Sequence, residues 1–556
     1  MATDSAVPET SRRELVVLFG ILAVAFGLRI VHLFDLQQSD PFFTLPAVDG
    51  QLYHAQAKSL ADGEGLQTPV LILGPAYPIF MAVVYWLFGP SLFALKWVQA
   101  AIGSIDCLLV WYLARLHFDR TTSLVAAAIT AVYGMLIFYG GTVMIVNIMV
   151  PAVLASAIAV TLALRQPTLV RWGVAGLMVA AATLARQTML LFVFPIAAWI
   201  FFALRGREPI GRRMWLAVAF AVGVALPILP FTIRNYVVGG EVVLLNSTGG
   251  ISFYMSNSER ADGTWVPPDL GMRADSPIAM QRAFTTVAER ETGRKLATTE
   301  VSSYWARRGI DFIRKDPARW LTLEWRKFVL FWNAREVWNN RSVDIARDFS
   351  RVLQLPLVSF GVLAPLALLG LGMSLGRWRE LFPLHAVIGI YFGTALIFVV
   401  LSRYRIPAVP VLIIFAAHAI TRMLGWTRER RFAPLAAAAA AGVALVAFVN
   451  VDMGAENLYM AHYNVGNKYL GLQRYDEAIR SFHRSIAINP GFAPTYNNLA
   501  LAYEGGGHRD EAVAAWGQVL GYALRVGDER RKERALRHLA ALGRRSQSES
   551  GEAPEP

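Results

Sequence analysis

An acidic side chain follows the first apolar segment of the chain, Asp49 in the stretch Pro46-Ala47-Val48-Asp49-Gly50-Gln51-Leu52-Tyr53-His54-Ala55-Gln56-Ala57. At helical spacing Tyr53 and Ala57 share a face with Asp49, so the carboxylate lies beside an aromatic ring. We predict that Asp49 is a general base; the alternative is an acid that offsets the helix dipole at a helix start. His54 can titrate near neutrality, but five positions from Asp49 it points elsewhere, as an ordinary interfacial histidine does.

Four arginines lie within or at the ends of apolar segments, where a charge without a partner is costly. Arg186 is near the middle of such a segment, and an unpaired cation there costs about 2.5 to 3.5 kcal/mol or more. It therefore requires a carboxylate, backbone carbonyls or a water-filled cavity. Arg234, Arg403 and Arg405 lie at segment ends, where the alternative to a functional role is a snorkelling side chain that pairs with lipid headgroups.

The composition is that of a polytopic membrane protein. Of the 556 residues, 55% are hydrophobic and only 17% are charged, which excludes a soluble enzyme. The net charge of +13 comes mostly from arginines in short loops and in the C-terminal third, without the basic stripe and interleaved aromatics of a nucleic-acid-binding surface. The single cysteine, Cys107, excludes a disulfide framework and a thiol metal site.

Eleven apolar segments are predicted as membrane spans. The first is treated as an uncleaved anchor, because it is long for a signal peptide and lacks a small-residue cleavage site. The sixth is too long for one straight span and carries Ala185-Arg186-Gln187-Thr188 at its middle, so it is predicted to be one broken helix. The segments are 15–34, 75–88, 92–116, 122–139, 143–164, 172–204, 214–231, 353–375, 381–401, 407–423 and 433–451.

Loop charge predicts the orientation of these spans. Arginine clusters place residues 1–14 in the cytoplasm, together with the shorter basic loops. Two long loops, 35–74 with Asp49 and 233–352, then face outward. Residues 320–332 are interrupted by charged side chains, so they are predicted to form an interfacial helix rather than a span.

The sequence after the last span repeats with a period of 34 residues. Small residues recur where two helices touch, which resembles tetratricopeptide repeats. We predict a repeat domain at 460–543 that includes a basic capping helix near 529–542, followed by a disordered tail at 544–556. The matching pairs are Asn464 and Asn498, Val465 and Leu499, Tyr469 and Tyr503, Asp476 and Asp510, Ala478 and Ala512, and Phe482 and Trp516.

Several short motifs occur in an order that resembles the multispanning glycosyltransferases of the GT-C type, in particular the group of protein O-mannosyltransferases and lipid A aminoarabinose transferase. This resemblance covers roughly residues 10–450. It implies an all-α membrane protein of about 11 transmembrane helices with two long external loops, here followed by a small α-solenoid of tetratricopeptide repeats. The motifs are Arg29 in the first helix, Gly74-Pro75-Ala76-Tyr77-Pro78, Leu184-Ala185-Arg186-Gln187, Ile233-Arg234-Asn235-Tyr236-Val237-Val238-Gly239-Gly240 and Ser402-Arg403-Tyr404-Arg405-Ile406-Pro407.

The resemblance implies that Asp49 deprotonates an acceptor while sugar arrives from a polyprenyl-phosphate or polyprenyl-diphosphate carrier on the outer face. The leaving phosphate needs fixed cations in a partly dry place. Two of Arg234, Arg403 and Arg405 are predicted to contact it; for Arg186 a donor-site role and a structural one are both open. A single displacement would invert the anomeric carbon. The lipid-linked sugar is a co-substrate, and no cofactor is expected.

The chain departs from the family pattern in one respect. Related enzymes often carry a second acid before the fifth span, where this sequence has Asn147. An amide can orient an acceptor but cannot act as a base or contribute charge to a metal, which weakens a metal-dependent interpretation. Glu336, in Trp332-Asn333-Ala334-Arg335-Glu336, or Asp344 is the candidate replacement.

The predicted location is the cytoplasmic (inner) membrane, with the repeats outside it. Expected partners are the polyprenyl-linked donor, membrane lipids, an extracytoplasmic acceptor (protein, glycolipid or polysaccharide) and a protein bound by the repeats; nucleic acid is not expected. A non-catalytic scaffold is the main alternative function. A transporter is a weaker one, because the hydropathy shows no two-fold repeat.

Overall fold

A computed structural model of the protein describes residues 10–46, 48–66, 68–266, 270, 276–454 and 458–549. Their regular secondary structure is helical, apart from an isolated β-bridge between Tyr133 and Val358. The predicted all-α membrane class is confirmed. Most of the predicted cytoplasmic N-terminus, residues 1–9, lies outside the described residues.

The described residues up to 239 form the helices α1 to α10, and Asp49 is the first residue of α2. Among these helices, α1, α4, α7 and α10 are long and apolar enough to cross a membrane. The helices are α1 Arg12–Ser39, α2 Asp49–Ala61, α3 Ala76–Phe88, α4 Leu92–His117, α5 Arg120–Ala131, α6 Gly134–Gly140, α7 Val146–Arg165, α8 Leu169–Ala185, α9 Val193–Ala203 and α10 Ile210–Gly239.

The predicted break in the sixth apolar segment is confirmed. Helix α8 ends at Ala185, Arg186 is extended with φ −149° and ψ 119°, and a 3-10 helix over Gln187–Phe192 leads into α9. Gly74 lies against this break, where a Cβ atom would stand 2.4 Å from the Ala185 carbonyl oxygen. The close approach of two backbones therefore requires glycine at this position.

The described residues of the second long loop form the helices α11 Gly249–Ser256, α12 Pro277–Thr292, α13 Thr298–Lys315, α14 Pro317–Trp332, α15 Val343–Ala346 and α16 Arg351–Gln354. Helices α11 to α13 enclose an apolar cluster that includes Ile251, Phe284 and Trp305. The buried Trp305 indole donates a hydrogen bond to the Phe284 carbonyl over 3.1 Å. The loop therefore carries a small core of its own.

Five helices complete the apolar part of the chain: α17 Phe360–Met373, α18 Phe382–Ile397, α19 Ser402–Arg405, α20 Val409–Arg428 and α21 Phe432–Val449. The run Ser402–Arg428 and α21 are also of spanning length and apolarity. Helix α17 starts at Phe360, so the predicted segment 353–375 begins too early. The chain is a multi-pass membrane protein, and the predicted count of eleven spans stays a prediction.

The predicted interfacial helix at 320–332 corresponds to the C-terminal part of α14. Its Lys327 is fully buried, and its Nζ donates hydrogen bonds to Glu324 over 2.7 Å and to the Leu396 carbonyl over 2.8 Å. The last carbonyls of a helix lack intrahelical partners and favour cations. Lys327 therefore caps the end of α18, just before the chain turns toward Arg403.

The C-terminal helices are α22 Leu458–Gly471, α23 Tyr475–Ile488, α24 Ala493–Gly505, α25 Arg509–Val526 and α26 Glu529–Glu549. The paired repeat positions Ala478 and Ala512, and Phe482 and Trp516, are all fully buried, as expected for helix pairs that touch. Ala535 and Leu542 of α26 join the cluster around Trp516, so α26 caps it. The helix reaches residue 549, and residues 550–556 of the predicted tail lie outside the described residues.

The chain divides into two compact units, and the unit that contains these five helices also contains residues 39–45 and 344–349 of the two long loops. Within it, the Tyr469 hydroxyl donates to the Ser39 carbonyl over 3.4 Å, and the Ser39 hydroxyl donates to the Phe349 carbonyl over 3.0 Å. Arg484 pairs with Asp348 at 3.2 Å. Parts of both loops are therefore packed with the repeats.

Candidate active site

Asp49 is placed at the start of α2 by an unusual backbone. The preceding Val48 has φ 34°, which is an outlier for a β-branched residue. At Gly50 a Cβ atom would lie 3.1 Å from the Val143 carbonyl oxygen, so glycine lets α2 approach the loop before α7. Tyr53 and Ala57 are buried, in the helical register that puts them on the Asp49 face.

Asp49 forms an ion pair with Arg403, whose Nη1 donates to the Asp49 Oδ2. The two side chains are 13% and 15% exposed, so water screens the pair only weakly. Arg403 is the second residue of α19, and 354 positions separate it from Asp49. The structure thus joins the first long loop to the motif that precedes α20.

Tyr404 brings a second arginine to the same place. The Arg186 guanidinium lies over the Tyr404 ring, 3.4 Å from its centroid, and the Arg403 guanidinium is 5.0 Å from that centroid. Arg403 Nη2 also donates to the Tyr404 hydroxyl over 3.1 Å. The charge of Arg186, which is costly in an apolar segment without a partner, therefore has a cation–π contact with Tyr404. Sequence reasoning does not single out Tyr404, although it lies between two predicted site residues.

This cluster carries more positive charge than negative charge. Of the two guanidinium groups beside Tyr404, that of Arg403 pairs with Asp49, and the described residues place no acid within ion-pair distance of Arg186. The Arg403 Nε is buried without a hydrogen-bond partner among those residues. Unused N–H donors beside an unbalanced charge are the features of an anion-binding site.

Tyr53 is an uncharged, buried side chain of the site. Burial, and then the nearby Asp49 carboxylate, raise the pKa of Tyr53 above its usual value, so the phenol stays protonated at neutral pH. Its ring packs edge-on against Tyr77 with centroids 5.0 Å apart. Asp49 is therefore held beside an aromatic ring, as its spacing predicts.

Arg405 points into the protein instead. Its Nη1 donates to the carbonyls of Phe331 and Asn333 over 2.9 and 2.8 Å, and its Nη2 donates to the Arg335 carbonyl over 3.3 Å and to Glu336 Oε2 over 2.9 Å. The guanidinium also lies 3.5 Å from the Phe360 ring centroid. Arg405 and Glu336 therefore hold residues 331–336 against the start of α19.

The Arg234 guanidinium is likewise hydrogen-bonded to backbone carbonyls. Its Nη2 donates to the Leu66 and Thr68 carbonyls over 2.7 and 2.6 Å, and its Nη1 donates to the Pro69 carbonyl over 3.2 Å. These contacts fix the end of the first long loop on α10. Among the described residues, no contact of Arg234 connects it with Asp49 or Arg403.

Asn147 and His54 also have local partners. The Asn147 Nδ2 donates to the carbonyls of Thr142 and Met144, both over 3.0 Å, so the amide braces its own loop. His54 Nδ1 is 2.7 Å from the Tyr85 hydroxyl, on the side of α2 that meets α3. Burial, and then Lys58, lower the pKa of His54, which favours the neutral ring.

Within the residues that the structure describes, no group of three or more His, Cys, Asp or Glu side chains is arranged to hold a metal ion. The functional groups that converge are one carboxylate, two guanidiniums and two phenols. Such a set can accept a proton and bind an anion.

Fold and site together describe a multi-pass membrane protein in which a buried carboxylate pairs with one of two arginines that contact the same tyrosine ring. Residues 72–233 match the family described as dolichyl-phosphate-mannose-protein mannosyltransferase, and residues 459–492 match the tetratricopeptide repeat. These matches confirm the predicted resemblance to GT-C glycosyltransferases over residues 72–233 and to tetratricopeptide repeats over residues 459–492. No curated protein matches the chain.

Two solved structures illustrate the similarity. The archaeal oligosaccharyltransferase AglB from Archaeoglobus fulgidus, in complex with an inhibitory peptide and a dolichol-phosphate, is 15% identical with a TM-score of 0.45, over 84% of this chain and 59% of AglB. ArnT from Cupriavidus metallidurans, bound to undecaprenyl phosphate, is 13% identical with a TM-score of 0.41, over 92% of this chain and 81% of ArnT. At these values neither similarity carries a functional assignment.

Proposed function

We propose that the protein transfers a sugar from a polyprenyl-phosphate or polyprenyl-diphosphate carrier to an extracytoplasmic acceptor, with Asp49 as the general base. The observation that carries this proposal is the cluster of Asp49, Arg403, Tyr404 and Arg186. It combines a proton acceptor with unused cationic donors. The family match at residues 72–233 supports a lipid-linked donor.

Arg186 and Arg403 are assigned to the donor phosphate. A phosphate ligand must have N–H groups that the protein does not already use. Arg403 has a buried Nε without a partner among the described residues, and its Nη atoms are bonded only to the Asp49 and Tyr404 side chains. The Nη atoms of Arg405 and of Arg234 are instead bonded to several backbone carbonyls. Arg405 and Arg234 are therefore assigned to holding the loops in place.

The proposed reaction is a direct displacement. Asp49 takes the proton of an acceptor hydroxyl, the acceptor oxygen bonds to the anomeric carbon, and the bond from that carbon to the phosphate oxygen breaks, leaving the electron pair on the phosphate. Because Arg403 already pairs with Asp49, the incoming phosphate competes with the carboxylate for this guanidinium. Donor binding then releases the Asp49 carboxylate from its ion pair and leaves it free to contact the acceptor hydroxyl.

The proposal also assigns an orientation to the site and a role to the repeats. The site faces the outside of the cytoplasmic membrane, because basic loops favour the opposite side. The neutral Asn147 stands where a second acid would serve, and its amide is bonded to backbone carbonyls, which disfavours a requirement for a resident metal. The repeats are assigned to recruiting the acceptor or an envelope protein through their concave face.

Purified protein in lipid vesicles is expected to transfer sugar from a synthetic polyprenyl-phosphate sugar and to invert the anomeric configuration, because one displacement inverts the carbon. The measurement is NMR of the product linkage, with and without a chelator. A product of retained configuration would contradict the single displacement. Absence of transfer with any matched donor and acceptor would favour the alternative, a non-catalytic scaffold with Asn147 in place of the second acid.

Deletion of residues 455–556 is expected to slow transfer even to a small soluble acceptor. Residues 39–45 pack in the same unit as the repeats, and Leu45 precedes Asp49 by only four positions. A displacement of about 1 Å at a reacting group can cost about 10²-fold in rate. Lys532→Gln, which changes an exposed pair on α26, is the control; an unchanged rate after the deletion would limit the repeats to acceptor recruitment.

A further inference from the structure

We propose that Gln99, a buried side chain of α4, is a positioning residue that places Asp49 for proton transfer without touching it. This inference rests on the proposed function and goes beyond it, because it assigns the geometry of the base to a side chain outside the reacting cluster. Its basis is that two separate contacts of one amide both lead to the first turns of α2, where Asp49 and Tyr53 lie.

The Gln99 side chain is fully buried, and both ends of its amide are hydrogen-bonded. Its Nε2 donates to the carbonyls of Gly140 and Thr142 over 3.1 and 3.0 Å, and its Oε1 accepts from the Tyr77 hydroxyl over 2.5 Å. Two carbonyls require two N–H donors, which sets the orientation of the amide. A buried polar group costs free energy unless its partners are in place, so these bonds hold α3, α4 and the end of α6 in one arrangement.

The first contact fixes the loop between α6 and α7. Its Thr142 carbonyl accepts from Gln99 on α4 and from Asn147 on α7, both over 3.0 Å. The next carbonyl of the loop, that of Val143, faces Gly50, where a Cβ atom would lie only 3.1 Å away. The residue that follows the base therefore packs directly on a loop that two side-chain amides hold.

The second contact reaches α2 through a pair of aromatic rings. The Tyr77 hydroxyl is bonded to Gln99, and the Tyr77 ring meets the Tyr53 ring edge-on, with centroids 5.0 Å apart and an angle of 81° between the ring planes. Tyr53 lies one helical turn after Asp49, on the same face of α2. Aromatic pairs prefer a defined geometry, so Gln99 also reaches the Asp49 face of α2 through side chains.

The start of α2 requires such support because its backbone is strained. Val48 has φ 34°, and no side chain of the described residues caps the helix there. Conformations of this kind persist only where the surrounding structure fixes them. Without the three bonds of Gln99, the first turn of α2 should relax and draw the Asp49 carboxylate away from Arg403.

The test compares Gln99→Met with the wild-type protein in lipid nanodiscs. Methionine is similar in length and removes all three hydrogen bonds. We expect kcat for transfer from a synthetic polyprenyl-phosphate sugar to fall by about 10- to 10²-fold, since a displacement of about 1 Å at a reacting group can cost about 10²-fold in rate. The KM for this donor should stay close to the wild-type value, because the described hydrogen bonds of Gln99 include none with Arg186 or Arg403.

The same substitution in the Asp49→Asn protein separates positioning from a general loss of structure. A residue that acts through Asp49 has no base to position once the carboxylate is gone, so Gln99→Met should not lower the residual rate further. An equal loss of rate in the two backgrounds would overturn the inference.

Asn257→Leu is the matched control for the loss of a buried amide. Asn257 is 1% exposed, and its Nδ2 donates to the carbonyls of Phe253 and Ile397, both over 3.0 Å, so it makes the same kind of bonds as Gln99 without involving α2. Its replacement should lower the melting temperature but leave kcat of the folded protein near the wild-type value.

Hydrogen exchange of the α2 amides, followed by mass spectrometry, is a measurement that does not depend on activity. Gln99→Met should raise exchange in residues 49–61, and Asn257→Leu should not. Should Gln99→Met fail to fold, Tyr77→Phe removes one of the three bonds, keeps the ring, and should show a smaller change in the same direction.

The outcomes separate this inference from the proposed function. If the wild-type protein transfers sugar while Gln99→Met and Tyr77→Phe keep wild-type exchange and kcat, Gln99 is not a positioning residue and the inference fails alone. If exchange in α2 rises in the variants but the wild-type protein transfers no sugar, the proposed function fails, and the support of α2 by Gln99 stands without it.

Discussion

Replacing Asp49 by Asn should lower the rate of sugar transfer by about 10²- to 10⁴-fold, the usual contribution of a general base. Asparagine keeps the size of the side chain and can still accept a hydrogen bond from Arg403, but it cannot take a proton at neutral pH. The measurement is transfer from a polyprenyl-phosphate sugar by equal amounts of folded protein.

The affinity of Asp49→Asn for the donor should not fall together with its transfer rate. Asp49 neutralises Arg403 in the present pair, so Asp49→Asn removes a negative charge that competes with the donor phosphate. The KM for the donor should therefore stay the same or fall while kcat drops. A purely structural role for Asp49 would instead lower the stability of the protein and donor affinity together.

Glu259→Gln is the control for this experiment. Glu259 is an external-loop acid, 72% exposed and 3.8 Å from Lys315, and exposed pairs contribute little. Its replacement should leave transfer unchanged. Full activity of Asp49→Asn would reject Asp49 as the base, and equal losses in the two variants would point to a general effect of charge in the loops.

Features with a local cause are predictable from the sequence. The shared face of Asp49, Tyr53 and Ala57 follows from helical spacing, and the break at Arg186 follows from a charge in an overlong apolar segment. The 34-residue period likewise predicts which positions are equivalent in the two repeats, and the equivalent residues Phe482 and Trp516 are both buried. Each of these depends on residues that are close in the chain or on a fixed period.

The choice among the arginines is not predictable in this way. Arg403 and Arg405 are two positions apart in one motif, yet one meets Asp49 across 354 positions and the other meets the carbonyls of residues 331–335. Those partners are fixed by tertiary packing, and neither spacing nor composition specifies them. The same holds for Tyr404, because its contact with Arg186 depends on the tertiary packing that brings the end of α8 to α19.

Replacing Arg405 by Gln should destabilise the protein strongly while acting outside the anion site. Arg405 is 3% exposed and Glu336 is 12% exposed, and removal of one partner of a buried pair costs about 3 to 5 kcal/mol. The carbonyls of Phe331, Asn333 and Arg335 would also lose a donor. The measurement is the apparent melting temperature of the purified variant in detergent.

Arg294→Gln is the matched control, because Arg294 makes two hydrogen bonds to Glu300 but is 60% exposed, and its loss should change the melting temperature little. The double variant Arg405→Gln with Glu336→Gln should recover part of the loss, since the uncompensated buried carboxylate is then gone. Equal melting temperatures for Arg405→Gln and Arg294→Gln would contradict a structural role for Arg405. That result, combined with weakened binding of polyprenyl phosphate, would instead place Arg405 among the donor ligands.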